Sequence, residues 1–359
     1  MPLPLCSRAV ALTVAGLLVG SSTAGAQAGF SVGPVTAQPG AVASGVISVA
    51  AKPGDEGTTI PVSVARGTSP GPVLALIAGV HGMEYTPILA LQKLLASLDP
   101  KGMRGTLILV HVANMPSFLG RTIYYSPIDG KNLNRVFPGK RDGTISERIA
   151  DTITREVIDR ATHVIDLHCG DGNESLRPYS YWVTTGDPEV ARVGREMALA
   201  FGLDHIVIDT ERPTDGGASV YLSNTAILRG KPALTTESGA LAGTDEASIT
   251  RNVQGSLGAM RYLGMLKDGP APVAEPVWIG PNQVLRAQNT GVLHPVVERG
   301  HTIAKGALVA YITDFHGRRV EEIRAPLDGE VLYVVGTPPI TAGEPVGFIG
   351  ARVAGHDAR

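Results

Sequence analysis

The chain has 359 residues, 43% of them hydrophobic and 18% charged, with a formal net charge of −2 and a pI near 6.5. That is a globular composition, long enough for one large core or two domains, and no basic surface advertises nucleic acid or an anionic membrane as partner. Aromatic residues make up only 5% and do not interleave with Lys or Arg, so a base-stacking platform is excluded too.

Residues 1–28 read as a secretory signal peptide. Arg8 supplies the charged start, Ala9 to Gly20 form an apolar run, and Ala26-Gln27-Ala28 fits a cleavage pattern of small residues. The run is too short to span a bilayer by itself, and Cys6 precedes it, the wrong place for a lipid-modified cysteine. The expectation is a secreted or periplasmic protein, free of the membrane after cleavage. Cys169 would then stand alone, so no intrachain disulfide could form.

Residues 29–57 are rich in Gly, Ala, Ser and Val without helical period, and read as a loose arm or the lead-in to an edge strand. Residues 58–268 change character. Four apolar runs end abruptly in polar residues: Val73–Val80 before His81, Thr106–Val112 before Asn114, Val164–Leu167 before His168, and Ala233–Thr236 before Glu237. Amphipathic segments lie between them. Thr86-Pro87 suits an N-cap and first helical position, with Ile88, Leu91, Leu95 and Leu98 on one face. Ser146 is the expected cap of a second helix, and Pro188 to Phe201 a third, stopped by Gly202. Uniformly apolar strands alternating with such helices predict an α/β fold with a mostly parallel, mixed sheet flanked by helices. Ligands of such sheets bind beyond the carboxyl ends of the strands, where these polar residues sit.

Residues 269–276, Gly-Pro-Ala-Pro-Val-Ala-Glu-Pro, read as a linker. Residues 277–352 then show short apolar runs punctuated by glycine, the pattern of a small all-β domain, followed by a tail over 353–359. The domain resembles the barrel-sandwich modules of biotinyl and lipoyl carriers. It lacks a Lys at a hairpin tip between hydrophobic residues, so a structural or gating role is expected.

Chemistry concentrates at the strand ends. His81-Gly82-Met83-Glu84 offers an imidazole and a carboxylate, two ligand types that zinc accepts, although a surface loop pair has the same pattern. Asp166-Leu167-His168 puts the acid and the imidazole on one strand face, where the carboxylate can fix the His tautomer, though a core His beside a strand-end Asp reads the same way. Asn132-Leu133-Asn134-Arg135 could grip a carboxylate through the guanidinium fork, or be a turn with a solvated Arg. Arg121, with Tyr124 and Tyr125, is a second candidate source of substrate contacts. Glu237 suits a general base and acid, or a helix-cap acid. His111, inside an apolar run, reads as core, and Cys169 as a buried thiol beside the site.

In this order the motifs resemble the succinylglutamate desuccinylase/aspartoacylase family, a branch of the zinc carboxypeptidase-like fold, over about residues 58–352. The resemblance implies one Zn²⁺ per chain held by His81, Glu84 and His168, with Asp166 behind His168. It further implies a carboxylate clamp from Asn134 and Arg135, and Glu237 as the general base and acid. An Arg found in some members seven residues before Asn134 is replaced by Pro127, and Arg121 is the proposed substitute. The expected activity is an exported amide hydrolase acting on a small-molecule N-acyl amino acid. A peptide or cell-wall carboxypeptidase and a non-catalytic carboxylate-binding protein are the competing readings. Whether the chain forms a homo-oligomer is left open.

Overall fold

The computed structural model describes residues 1–2, 28–184 and 186–354, so the body of the expected signal peptide lies outside the described residues. Strands β1 (Phe30–Val32), β2 (Val35–Ala37), β3 (Ala41–Val49) and β4 (Thr58–Arg66) lead into the alternating part of the chain. There follow β5 (Ser69–Ala78), α1 (Tyr85–Ser97), β6 (Arg104–Val110), α2 (Met115–Gly120), α3 (Ile145–Ile153) and β7 (His163–His168). Next come β8 (Glu174–Leu176), β9 (Tyr179–Val183), α4 (Pro188–Phe201), β10 (His205–Asp209), α5 (Leu222–Ile227), β11 (Ala233–Glu237) and α6 (Glu246–Tyr262). The remainder is all strand: β12 (Val277–Arg286), β13 (Gly291–Pro295), β14 (Thr302–Ile303), β15 (Leu308–Thr313), β16 (Arg319–Arg324), β17 (Gly329–Val335), β18 (Pro339–Ile340) and β19 (Pro345–Val353).

One large mixed sheet organises the molecule, in the order β14-β17-β19-β12-β10-β9-β11-β7-β5-β6-β4-β3. Its centre, β6-β5-β7-β11, is parallel, as uniformly apolar strands require when helices cover both faces. Alternate residues of these strands feed two cores. Ala75, Ile77, Ile108, Val110 and Val164 pack with α3 and α5 on one face. Leu74, Leu76, Leu107, Leu109 and Ile165 pack with α1, α4 and α6 on the other. Each fully buried Leu or Ile contributes about 1.5–3 kcal/mol, which makes this sandwich a rigid base for a site.

Local details differ from the sequence expectations. Of the two readings of segment 29–57, loose arm or lead-in to an edge strand, the second describes it: β3 pairs along its length with β4 and forms one edge of the sheet. Helix α1 starts two residues early, with Glu84 at its N-cap, and the Thr86 hydroxyl instead donates to the carbonyl of Gly243. Helix α3 is capped by Thr144 in a capping box with Glu147, while Ser146 hydrogen-bonds Asp129. Helix α4 runs as expected from Pro188 to Phe201, with Asp187 as its N-cap and Gly202 as its C-cap.

The C-terminal β region has its own core between the sheet β16-β15-β13-β18 and the strands β17 and β19, built on Val309, Ile312, Val331 and Ile349. It is nonetheless welded to the α/β part. β12 pairs in parallel with β10, so the large sheet runs through both. β8 adds antiparallel to β17. Beside these seams, the carboxylate of the fully buried Glu330 takes hydrogen bonds from Arg177 and Arg352 and lies 3.2 Å from His205 Nε2. Among the described residues no helix is long and apolar enough to cross a membrane.

Candidate metal centre

Strand β5 ends at Ala78, and a six-residue turn carries the chain to α1. Gly82 in this turn packs so tightly that a Cβ would meet the carbonyl oxygens of Ser117 and Thr122 at 2.3 and 2.6 Å. Only glycine fits, and the close approach directs His81 and Glu84 inward. Both are buried, as is His168 at the end of β7. Donor atoms of these three side chains lie within 4.8 Å of one another.

The two imidazoles are oriented alike. His81 Nε2 lies 3.1 Å from Asn132 Oδ1, and His168 Nε2 lies 3.0 Å from Asp166 Oδ1. Nε2–H of His81 donates to Asn132 Oδ1, which leaves Nδ1 as its lone-pair nitrogen, while Nε2 of His168 sits between the Asp166 carboxylate and the Asn134 amide nitrogen, 3.2 Å away. Both Nδ1 atoms face Glu84, at 2.8 Å from Oε1 for His81 and 2.9 Å from Oε2 for His168. Glu84 Oε2 is buried without a hydrogen bond of good geometry, a costly state that a cation would relieve. Two nitrogens and one carboxylate oxygen, with Asn132 and Asp166 oxygens behind the imidazoles, fit zinc better than magnesium or calcium. Burial pushes Glu84 up, but the charges of His168 and His81 outweigh it and bring the carboxyl down to about 2.

Glu237 ends β11, directly opposite His168 in the parallel register of β11 and β7. Burial holds its carboxyl well above the usual range, with Glu84, Glu174 and Asp166 adding and His168 opposing. The neighbouring Cys169 thiol is fully buried and raised by burial, an inert packing group. His111 lies outside the site and hydrogen-bonds Ser63 at 2.8 Å.

A cavity of about 810 Å³ opens over this face and is lined by His81, His168 and Glu237 on one side and by Asn134, Arg135 and Tyr221 on another. Asn134 is buried and its side chain committed: the amide donates to Asp166 Oδ2 at 3.4 Å, and its oxygen accepts from the Leu222 backbone at 2.8 Å. Arg135 projects into the cavity mouth with its guanidinium 4.6 Å from the Tyr221 ring centre. Arg121 does not line the cavity. It caps α2 in the left-handed conformation, φ 51°, and this turn carries it to the surface. Tyr124 stands edge-on to His81 at 5.6 Å and donates to Glu174, behind the donor cluster, while Tyr125 is exposed.

Several residues of the site escape sequence reasoning. Asn132, which contacts Nε2 of His81, sits in the polar loop without an assigned partner. Arg212 and Tyr221 lie in the connection between β10 and β11, and Pro281, Asn282 and Phe348 come from the C-terminal β region. A charged pair Asp209/Arg212 just past an apolar strand was the one signal available for the connection.

Residues 70–263 match the succinylglutamate desuccinylase/aspartoacylase catalytic domain. The chain is 32% identical over 278 residues to the N-alpha-acetyl-L-2,4-diaminobutyric acid deacetylase of Halomonas elongata, covering 75% of this chain and 79% of that one. Among solved structures, the product-bound ectoine utilization protein EutE (DoeB) from Ruegeria pomeroyi superposes with a TM-score of 0.77 at 27% identity, covering 86% of this chain and 95% of that one. A succinylglutamate desuccinylase from Silicibacter sp. TM1040 gives 0.78 at 25% identity, over 90% and 100% of the two chains. Fold, site and likeness together define a hydrolase of carbon–nitrogen amide bonds. The chain belongs to the succinylglutamate desuccinylase/aspartoacylase family.

Proposed function

We propose that the protein is an exported, zinc-dependent deacylase that cleaves the amide of an N-acyl amino acid bearing a free carboxylate. One observation carries the reading: the register of β11 on β7 sets Glu237 beside His168, so a half-buried carboxyl with a raised pKa adjoins a three-donor cluster on the floor of one cavity. A pure binding protein has no use for that carboxyl. The deacetylase relative from Halomonas elongata, named for an N-acetyl amino acid, supports this substrate class and makes acetyl the first acyl group to test. Export rests on Arg8, the apolar run Ala9 to Gly20 and Ala26-Gln27-Ala28.

His81 and His168, through Nδ1, and Glu84 would hold the zinc. Bound zinc supplies a Lewis acid that polarises the amide carbonyl and makes water a stronger acid. Asn132, hydrogen-bonded to Nε2 of His81, and the Asp166 carboxylate, 3.0 Å from Nε2 of His168, would hold each imidazole in the tautomer that leaves Nδ1 free. Glu237 takes a proton from the attacking water and returns it to the leaving amine nitrogen, work that a carboxyl raised by burial performs near neutral pH. Arg135 pairs with the substrate carboxylate, and Asn134 braces Asp166 and the start of α5 rather than reaching the substrate itself. Pro281, Asn282 and Phe348 wall the far side, which favours small substrates over peptides.

The test is a panel of N-acetyl amino acids and short peptides incubated with the zinc-loaded protein, read as free amine released. Release from the acetylated amino acids with a free carboxylate is expected. Release from peptides alone would overturn the substrate class, and metal-independent release would overturn the mechanism.

A further inference from the structure

Arg121 lies at the surface and does not line the cavity. The cavity does contain another guanidinium. Arg212 follows β10, and its side chain is 11% exposed. Its Nε donates to Asp209 Oδ2 at 2.5 Å, and Asp209 Oδ1 in turn accepts from the Glu211 backbone at 3.2 Å, which pins the short turn. The guanidinium carbon lies 4.0 Å from the Tyr221 ring centre and 5.6 Å from that of Tyr181. Arg135 approaches the same Tyr221 ring at 4.6 Å. Tyr221 is therefore shared by two guanidinium groups, both lining one cavity with Glu237 and His168.

Arg212 is built to be held still. Asp209 takes its Nε, aromatic rings pack against its plane, and among the described residues its two terminal nitrogens hydrogen-bond no protein group. Those two nitrogens are the pair that meets a carboxylate in parallel hydrogen bonds. Arg135 is different: it is exposed, and one terminal nitrogen already donates to the Asn134 carbonyl at 2.7 Å. Of the two, Arg212 has more of its fork to offer and loses less freedom on binding.

We infer that Arg212, anchored by Asp209 and stacked on Tyr221, is the principal carboxylate-binding residue of this enzyme, with Arg135 completing the clamp from the cavity mouth. The inference rests on the proposed N-acyl amino acid substrate. Asp209 is a positioning residue in this arrangement, since it acts through Arg212.

The experiment measures kcat and KM for an N-acetyl amino acid and for its C-terminal carboxamide with wild-type enzyme and the variants Arg212→Gln, Arg212→Lys, Asp209→Asn and Arg121→Ala. Wild type is expected to prefer the carboxylate. Arg212→Gln should lose about tenfold to a hundredfold in kcat/KM on the carboxylate through KM, with the carboxamide nearly unaffected, because the contact is made equally in ground and transition states. Arg212→Lys should recover only part, because charge without the planar fork is insufficient. Asp209→Asn should raise KM for the carboxylate by a smaller factor at unchanged kcat, a split that a general loss of structure would not give. If wild type shows no carboxylate preference, the substrate reading itself fails. If wild type has the preference and Arg212→Gln keeps it, or Arg121→Ala is the variant that loses it, the assignment to Arg212 is overturned while the substrate reading stands.

Discussion

The two walls of the cavity are built on different logic. The donor wall, His81, Glu84, His168 and Glu237, grows from the carboxyl ends of adjacent parallel strands β5, β7 and β11, and the parallel register alone brings its members together. The opposite wall is assembled from the Arg135 turn, the β10–β11 connection and the C-terminal strands β12 and β19. Its residues are 134 to 353 in number and come from four parts of the chain. In the donor wall His81, Glu84 and His168 are buried and tied to one another by close contacts, whereas the opposite wall carries the charged side chains Arg135, Asp209 and Arg212. Chemistry is thus fixed by the sheet, and selection is delegated to elements that can vary without disturbing it.

The harshest way to break the comparison is to remove a donor. His168→Ala should reduce zinc to under about a tenth of one per chain and abolish turnover, since three protein ligands are the minimum for a catalytic site. Elemental analysis of purified protein checks this, and full zinc content in the variant would remove His168 from the ligand set.

Glu237→Gln keeps size and reach but cannot accept a proton. Turnover should fall about 10²–10⁴-fold with zinc still near one per chain and substrate affinity little changed. Loss of zinc from this variant would instead make Glu237 a ligand, and full activity with full zinc would place the base elsewhere.

On the opposite wall the effect should be milder and substrate-dependent. Arg135→Lys is expected to cost on the order of 1–2 kcal/mol in kcat/KM for carboxylate substrates, less than a lone clamp would, because Arg212 shares the load. Equal losses for a carboxamide analogue would reduce Arg135 to a structural role.

The smallest effect concerns the weld that holds the second wall in place. Burial raises the Glu330 carboxyl, but hydrogen bonds from Arg352 and the charges of Arg177 and His205 outweigh it and leave its pKa lowered. A depressed carboxyl contributes stability that is fully present above its unfolded value, near pH 4.5, and is lost as pH falls through the lower folded value. Glu330→Gln should cost on the order of 1–2 kcal/mol near neutral pH, discounted because Arg352 is more than half exposed, and should flatten the acid side of the stability curve. Thermal unfolding from pH 3 to 8 measures both, and an unchanged acid limb would show that Glu330 does not couple the two regions.

How much of this was legible follows from chain direction. Period-two alternation and abrupt polar endings suffice to mark His81, His168, Asp166 and Glu237, because they lie at or just beyond the ends of strands buried on both faces, and parallel neighbours align such ends. Glu84 was legible for a similar local reason: Gly82 and the start of α1 force a tight turn. Arg212 was not. It follows β10, which is parallel to β9, and β9 is antiparallel to β11, so β10 runs against the strand that carries Glu237. Arg212 reaches the cavity because β10 itself, from Val207 to Asp209, lines it, and nothing local encodes that this strand stands beside the donor cluster. The break at residues 269–276 likewise reads as a separator, yet the parallel pairing of β12 with β10 makes one sheet of both regions and delivers Asn282 and Phe348 to the cavity. Local sequence by itself determined the strands, their buried faces and the donors at their ends, since hydrophobic period and turn chemistry act over a few residues. Which distant segments face those donors was decided only by tertiary pairing, because strand order and direction are set by long-range packing that leaves no local mark.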